Sequence, residues 1–208
     1  MARRPVLEFW YDFASTYSYL SAMRIEALAG AAEVDVRWRP FLLGPIFAAQ
    51  GWTSSPFNLF PAKGRAMWRD MEREAGRLGL PFKRPNPFPQ NSLMAARIGL
   101  FGADEPWAPA FTRAIFQAEF AHGRSIADAP TIHAILLDLG LDAGSVTRSA
   151  QGDANKTRLK AITEEARSRG IFGAPTFFAE DGELFWGNDR LEQALAWAAG
   201  ERHAATST

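Results

Sequence analysis

Strand-like sequence is confined to the two ends of this chain and the long stretch between them is helical, which constrains the fold more than any single motif. Residues 6–13, Val6-Leu7-Glu8-Phe9-Trp10-Tyr11-Asp12-Phe13, are aromatic and branched enough for a strand buried on both faces. From Ser15, the positions Leu20, Met23 and Ala27 recur at helical spacing until Gly30, which reads as a C-terminal stop. Val34 to Trp38 alternates with Asp35 and Arg37 and predicts a second strand, ended by Pro40. Strand character returns only in Thr176 to Ala179, turns at Asp181-Gly182, and resumes in Glu183 to Trp186 before a helix carrying Leu191, Leu195 and Ala198.

Between these ends, Gly and Pro clusters separate segments of period near 3.6. Apolar stripes run through Met67, Met71, Ala75 and Leu78, then Leu93, Ala96 and Leu100, then Phe111, Ile115 and Ala118. Two more follow: Ile132, Ile135, Leu136 and Leu139, entered through Pro130, and Leu159, Ile162 and Ala166. The run from Pro81 to Pro89 is expected as a loop, and Met67, Trp68 and Met71 as core. The pattern predicts an α/β domain built from residues 1–45 and 170–208, split by a helical insertion over 46–169. At 208 residues and 47% apolar, the chain can bury one good core, or one core with a helical appendage. The tail from Glu201 to Thr208 is expected to fray.

Composition removes several functions. The 23 basic and 23 acidic residues balance, so nothing favours nucleic acid or an anionic membrane. No stretch approaches the roughly 18 apolar residues of a membrane helix, and the basic start leads into a strand rather than a signal core. A soluble cytoplasmic protein is expected. With no cysteine in the chain, disulfides, thiolate metal sites and thiol nucleophiles are excluded, so any thiol chemistry must use a borrowed thiol. His122 and His133 fall on predicted helices and His203 in the tail, without metal-ligand spacing, and no metal is expected. Ser15 has no evident His-Asp relay or Gly-x-Ser-x-Gly elbow, and no Walker or GxGxxG loop is present.

Four places could carry chemistry, each with a plainer structural alternative. Ser15 opens a helix, where unpaired N–H groups and the dipole favour an anion, or it is simply an N-cap. Lowering a thiol pKa from about 8.5 to about 6.5 needs roughly 2.7 kcal/mol. A helix end supplies about 0.3–2 kcal/mol and a charge-assisted bond from the hydroxyl about 1.5–3. Ala174-Pro175, in Gly173-Ala174-Pro175-Thr176-Phe177, is either a cis bond exposing the Ala174 backbone to an extended peptide or a trans loop proline starting a strand. Asn188 and Asp189, in Trp186-Gly187-Asn188-Asp189-Arg190-Leu191, either cap the last helix, with Glu192 completing a capping box, or hold an amino-acid headgroup. Lys63 is a surface lysine or the cation for a ligand carboxylate.

Together with Tyr11-Asp12-Phe13-Ala14-Ser15-Thr16-Tyr17-Ser18-Tyr19-Leu20, these motifs occur in the same order as in one known family. The chain resembles 2-hydroxychromene-2-carboxylate isomerases of the kappa-class glutathione transferase group, within the DsbA-like thioredoxin superfamily. The resemblance implies a thioredoxin fold with an inserted all-helical domain, usually a homodimer, that binds glutathione as a cofactor and acts on a small electrophile. It implies that Ser15 contacts the glutathione sulfur, that Ala174 before a cis-Pro175 pairs with the cysteinyl unit, and that Trp186, Gly187, Asn188 and Asp189 bind the γ-glutamyl end. It also matches Lys63 to a glutathione-contacting lysine. Two positions depart: Thr16 stands where many relatives have Pro, and Phe41-Leu42-Leu43-Gly44-Pro45-Ile46-Phe47 lacks the substrate-binding lysine of the naphthalene-pathway enzyme. The leading expectation is a glutathione-dependent isomerase. The alternatives are a kappa-like transferase that releases a conjugate, and a non-catalytic thioredoxin-like module that binds peptides.

Overall fold

Strand β1 (Val6–Tyr11) is central in a four-stranded sheet of order β2-β1-β3-β4, with β2 at Asp35–Pro40, β3 at Thr176–Phe178 and β4 at Leu184–Trp186. The computed structural model describes residues 3–201; the remainder of the tail, His203 included, lies outside them. β1 pairs with β2 in parallel and with β3 antiparallel, and β3 with β4 antiparallel. The N- and C-terminal sequences thus meet in one sheet through Phe9↔Phe177. Burial drives the pairing. Phe9 packs its ring 4.9 Å from Tyr11, 5.3 Å from Trp38 and 5.4 Å from Phe177, all buried. Each such side chain contributes about 1.5–3 kcal/mol by leaving water.

The expected helix over 15–30 is two helices, α1 (Thr16–Ala22) and α2 (Ile25–Ala31), interrupted at Arg24, whose backbone (φ −128°, ψ −15°) leaves the helical region. Apolar spacing continues across the break, so periodicity did not reveal it. Pro40 does not end β2 early: it pairs with Tyr11 as the last residue, tolerated because β2 is an edge strand. Between the sheet halves lie α3 (Leu43–Ala49), α4 (Pro56–Leu59), α5 (Pro61–Arg77), α6 (Leu93–Phe101), α7 (Ala108–Phe116), α8 (Ala129–Asp138), α9 (Ala143–Ala150) and α10 (Asp153–Ser168). The five stripes seen in the sequence fall on α5, α6, α7, α8 and α10. Ala118 belongs instead to a π-helical turn, Gln117–Ala121, that extends α7. α3, α4 and α9 were not foreseen. In α3, Gly44-Pro45 reads as a loop, yet a proline is accommodated in a first turn because its missing N–H has no helical partner there.

Met67, Trp68 and Met71 are buried as expected. His133 Nε2 lies 3.3 Å from Thr147 Oγ1, a contact between α8 and α9. Helix α11 (Leu191–Ala198) closes the chain after a 3-10 turn at Asn188–Arg190. The expected capping there is not observed: Arg190 occupies the N-cap without a side-chain bond, and Glu192 turns away to Arg24. Among the described residues, no helix is long and apolar enough to cross a membrane.

Candidate active site

A cleft of about 2030 Å³ opens where the ends of β1 and β3 face α5. It is lined by Ser15, Lys63, Ala174, Trp186, Gly187, Asn188 and Asp189, seven of the eight residues singled out in the sequence. The eighth, Pro175, is buried just behind, and the Ala174–Pro175 bond is cis. Residues far apart in the chain therefore converge: Ser15 Oγ donates to the Ala174 carbonyl, 159 positions away, at 3.0 Å. The same oxygen accepts from Ser18 N–H at 3.3 Å as the N-cap of α1, so capping and pairing coexist in one side chain. As residues N1 and N2 of α1, Thr16 and Tyr17 have no helical acceptor for their N–H groups. The Ala174 N–H likewise has no acceptor among the described residues. The site thus presents one hydroxyl, open backbone donors and a strand edge at one point.

Two glycines let the opposite loop approach. A Cβ on Gly173 would come within 2.5 Å of Trp186 Nε1, so only glycine admits the indole against this backbone. Gly187 has φ +110°, and its N–H donates to Pro175 C=O at 3.0 Å, which locks the 186–189 turn to the 173–175 segment. Trp186 remains half-exposed and packs on Phe172, ring centres 4.8 Å apart. Asn188 is buried. Its Oδ1 accepts from Ser21 Oγ at 3.0 Å and from Arg24 at 3.2 Å, while its amide nitrogen has no protein partner among the described residues. Asp189 stands exposed on the rim, its nearest cation Arg190 at 3.7 Å. Lys63, in the first turn of α5, lies 4.8 Å over the Phe60 ring and forms no ion pair among the described residues.

Three polar features at the cleft were not singled out from sequence. Asp12, fully buried, accepts from Ala14 N–H at 2.9 Å, Ser92 Oγ at 2.8 Å and Leu43 N–H at 2.7 Å. One carboxylate thus fastens the Ser15 turn, the start of α6 and the start of α3. Burial raises its pKa, and these three donors oppose the shift. Arg24, at the α1–α2 break, donates to the Asn188 carbonyl at 3.0 Å and pairs with Glu192, holding the 188–192 turn onto α1. Tyr17 donates to Asp70 at 2.8 Å, joining α1 to α5; burial and then that carboxylate raise its pKa. The signal for Asp12 was available: an ionisable residue inside an otherwise apolar, aromatic run needs a buried partner.

Comparisons with known proteins bear on the family and the fold. The family described as DSBA-like thioredoxin domain matches residues 6–196. The 2-hydroxychromene-2-carboxylate isomerase of Sphingobium xenophagum is 29% identical over 187 residues, covering 89% of this chain and 94% of that protein. Glutathione S-transferase kappa 2 of Caenorhabditis elegans is 24% identical over 216 residues, covering 96% and 94%. Among solved structures, a 2-hydroxychromene-2-carboxylate isomerase superposes with a TM-score of 0.83 at 28% identity, covering 94% of this chain and 95% of that one. The cysteine-free sequence, the sheet order and the paired Ser15 and cis-Pro175 segments therefore sit within a matched whole: the chain belongs to the DSBA-like thioredoxin domain family.

Proposed function

We propose that this protein is a glutathione-dependent isomerase that acts on 2-hydroxychromene-2-carboxylate or a related aromatic-degradation intermediate. The observation that carries the reading is the 3.0 Å bond from Ser15 to the Ala174 carbonyl in a chain without cysteine. Bound glutathione would supply the sulfur nucleophile, which adds to the electrophile, permits bond rotation and leaves again. The cleft fits such a tripeptide on its own terms: an open backbone edge at Ala174, a lysine without an acid partner, and an exposed carboxylate at Asp189.

The protein's residues would act as follows. Ser15 releases the Ala174 carbonyl to the incoming peptide N–H and turns its hydroxyl proton toward the sulfur. α1 is only seven residues long, so its dipole contributes toward the lower end of about 0.3–1 kcal/mol. The hydroxyl, at about 1.5–3 kcal/mol for a bond to a charged group, carries most of the anion stabilisation, with the Thr16 and Tyr17 N–H groups beside it. Ala174 N–H and C=O pair with the cysteinyl backbone. Asp189 takes the ammonium of the γ-glutamyl end, the Asn188 amide and Trp186 flank it, and Lys63 meets a carboxylate. As the resemblance implies, the working unit would be a homodimer in the cytoplasm.

Calorimetry and turnover test this. Asp189→Ala is expected to weaken glutathione binding at least about tenfold. Ser15→Ala should keep binding within a few fold and lose about 10²-fold in kcat, as when a single anion-stabilising donor is removed. No glutathione binding at millimolar ligand, or turnover indifferent to glutathione and to Ser15→Ala, would exclude the mechanism. A second reading, a transferase that consumes glutathione stoichiometrically, is favoured by the uncharged wall at α3; product analysis separates the two.

A further inference from the structure

Charge is sorted along the cleft. Its charged lining residues lie on α5, at Arg24 and in the 189–192 turn, apart from Asp12, which is buried and bonded to three donors. The lining contributed by α3, the 50–57 segment and the 88–93 segment carries no charged residue among the described residues; at its edge the Phe57 carbonyl packs on Gly64 of α5, beside Lys63. Its surface is aromatic and aliphatic: Phe47 and Trp52 pack with ring centres 5.5 Å apart, and Leu43, Phe57 and Phe88 continue the wall. The start of α3 faces this end, yet it is a poor anion site. Leu43 N–H is committed to Asp12 and Pro45 has none, which leaves Gly44 alone among the first three positions. Thr53, Ser54 and Asn91 provide neutral polar groups.

Given the glutathione reading above, on which the biological meaning rests, we infer that, of the substrates that reading admits, this chain takes a related uncharged aromatic carbonyl compound rather than the chromene carboxylate itself, because the α3 end selects against a carboxylate. A flat ring fits against Phe47 and Trp52, and a carbonyl oxygen can accept from a neutral hydroxyl or amide. A carboxylate in the same place would lose its hydration without gaining a cation. The wall therefore sets specificity by what it omits.

The test uses inert probes, so that no reaction is needed. Benzylacetone, a neutral ketone carrying a phenyl ring, and benzoylpropionate, a phenyl ketone bearing a carboxylate, are titrated into the full protein with and without saturating glutathione. Calorimetry reports affinity, and the part of the tryptophan quenching that Trp52→Ala removes reports contact at Trp52 rather than at Trp186, which lines the same cleft. Benzylacetone should bind at least about tenfold more tightly. The exposed-site variant Ala48→Lys, which places a cation on the wall, should narrow or invert that ratio, and Trp52→Ala should weaken benzylacetone binding. Equal or tighter binding of benzoylpropionate to the wild type overturns the inference, as does glutathione binding with neither probe retained. Discrimination between the probes without any glutathione binding upholds the wall's selectivity and overturns the cofactor reading instead.

Discussion

Glu8 and Asp12 stand four residues apart, one within β1 and one just beyond it, and meet opposite fates. Glu8 points to a network of cations: Arg169 donates to it at 2.6 Å, Trp10 Nε1 at 3.0 Å, and Arg37 and Arg39 lie within 4.0 Å. Arg39 in turn holds Glu165 of α10 at 2.7 Å. Burial raises the Glu8 pKa, but the bonds from Arg169 and Trp10 outweigh it and the net shift is downward. Asp12 has no cation. Among the described residues it is satisfied only by neutral donors, and its charge acts in turn on Glu119, whose two carboxyl oxygens are buried without partners there. Burial first, and Asp12 second, push the Glu119 pKa well up. The acid away from the cleft is thus built for stability, whereas the acid beneath it ties three walls together at a cost in stability.

Substitutions sharpen that contrast. Asp12→Asn keeps the shape but turns an amide against one of three donors, which costs about 1–3 kcal/mol. Because the Ser15 turn and α3 lose their common anchor, turnover should fall about 10- to 100-fold while glutathione affinity changes little. An equal loss in both would make Asp12 merely structural. Glu119→Gln removes the charging penalty and should stabilise the protein by about 1–3 kcal/mol at pH 8. A carboxyl with a raised folded pKa contributes stability that is complete below its unfolded value and lost as pH rises. The gap between variant and wild type should therefore close on acidification toward about pH 4.5. Glu8→Gln has the opposite sign. A lowered folded pKa gives stability present above about pH 4.5 and lost below it, so this variant should be weaker by about 1 kcal/mol at neutral pH and match wild type in acid, with turnover unchanged. Thermal melts between about pH 3 and about pH 8 decide both signs. Parallel slopes for the two variants would erase the distinction.

The strands, the hairpin and five of the longer helices were legible because aromatic runs and 3.6-residue stripes are local signals. The break at Arg24 was not: no Gly or Pro marks it, and the partner of its side chain, Asn188, lies 164 residues away. α3 was hidden by Gly44-Pro45, which punctuates a sequence equally well at a turn or at a helix start. The site showed the same division. Ser15, Ala174 and the 186–189 turn each have a plainer local reading and are grouped only by the order they share with the family the chain resembles; the structure brings them to one cleft. Asp12 appeared only as an interruption of an apolar strand, for its partners Leu43 and Ser92 are 31 and 80 residues distant. Asn188 looked like a cap because amides usually serve there. Here Ser21 and Arg24 take its oxygen.

The central claim is that Ser15 holds a borrowed sulfur as an anion, and the ultraviolet absorbance of the thiolate in bound glutathione, followed against pH, addresses it directly. The wild type should show the thiolate well below the free thiol's pKa of about 8.5, near about 6.5, and Ser15→Ala should return it upward by at least about one pH unit. A bound thiol that titrates like the free one, or identically in both proteins, would contradict the account.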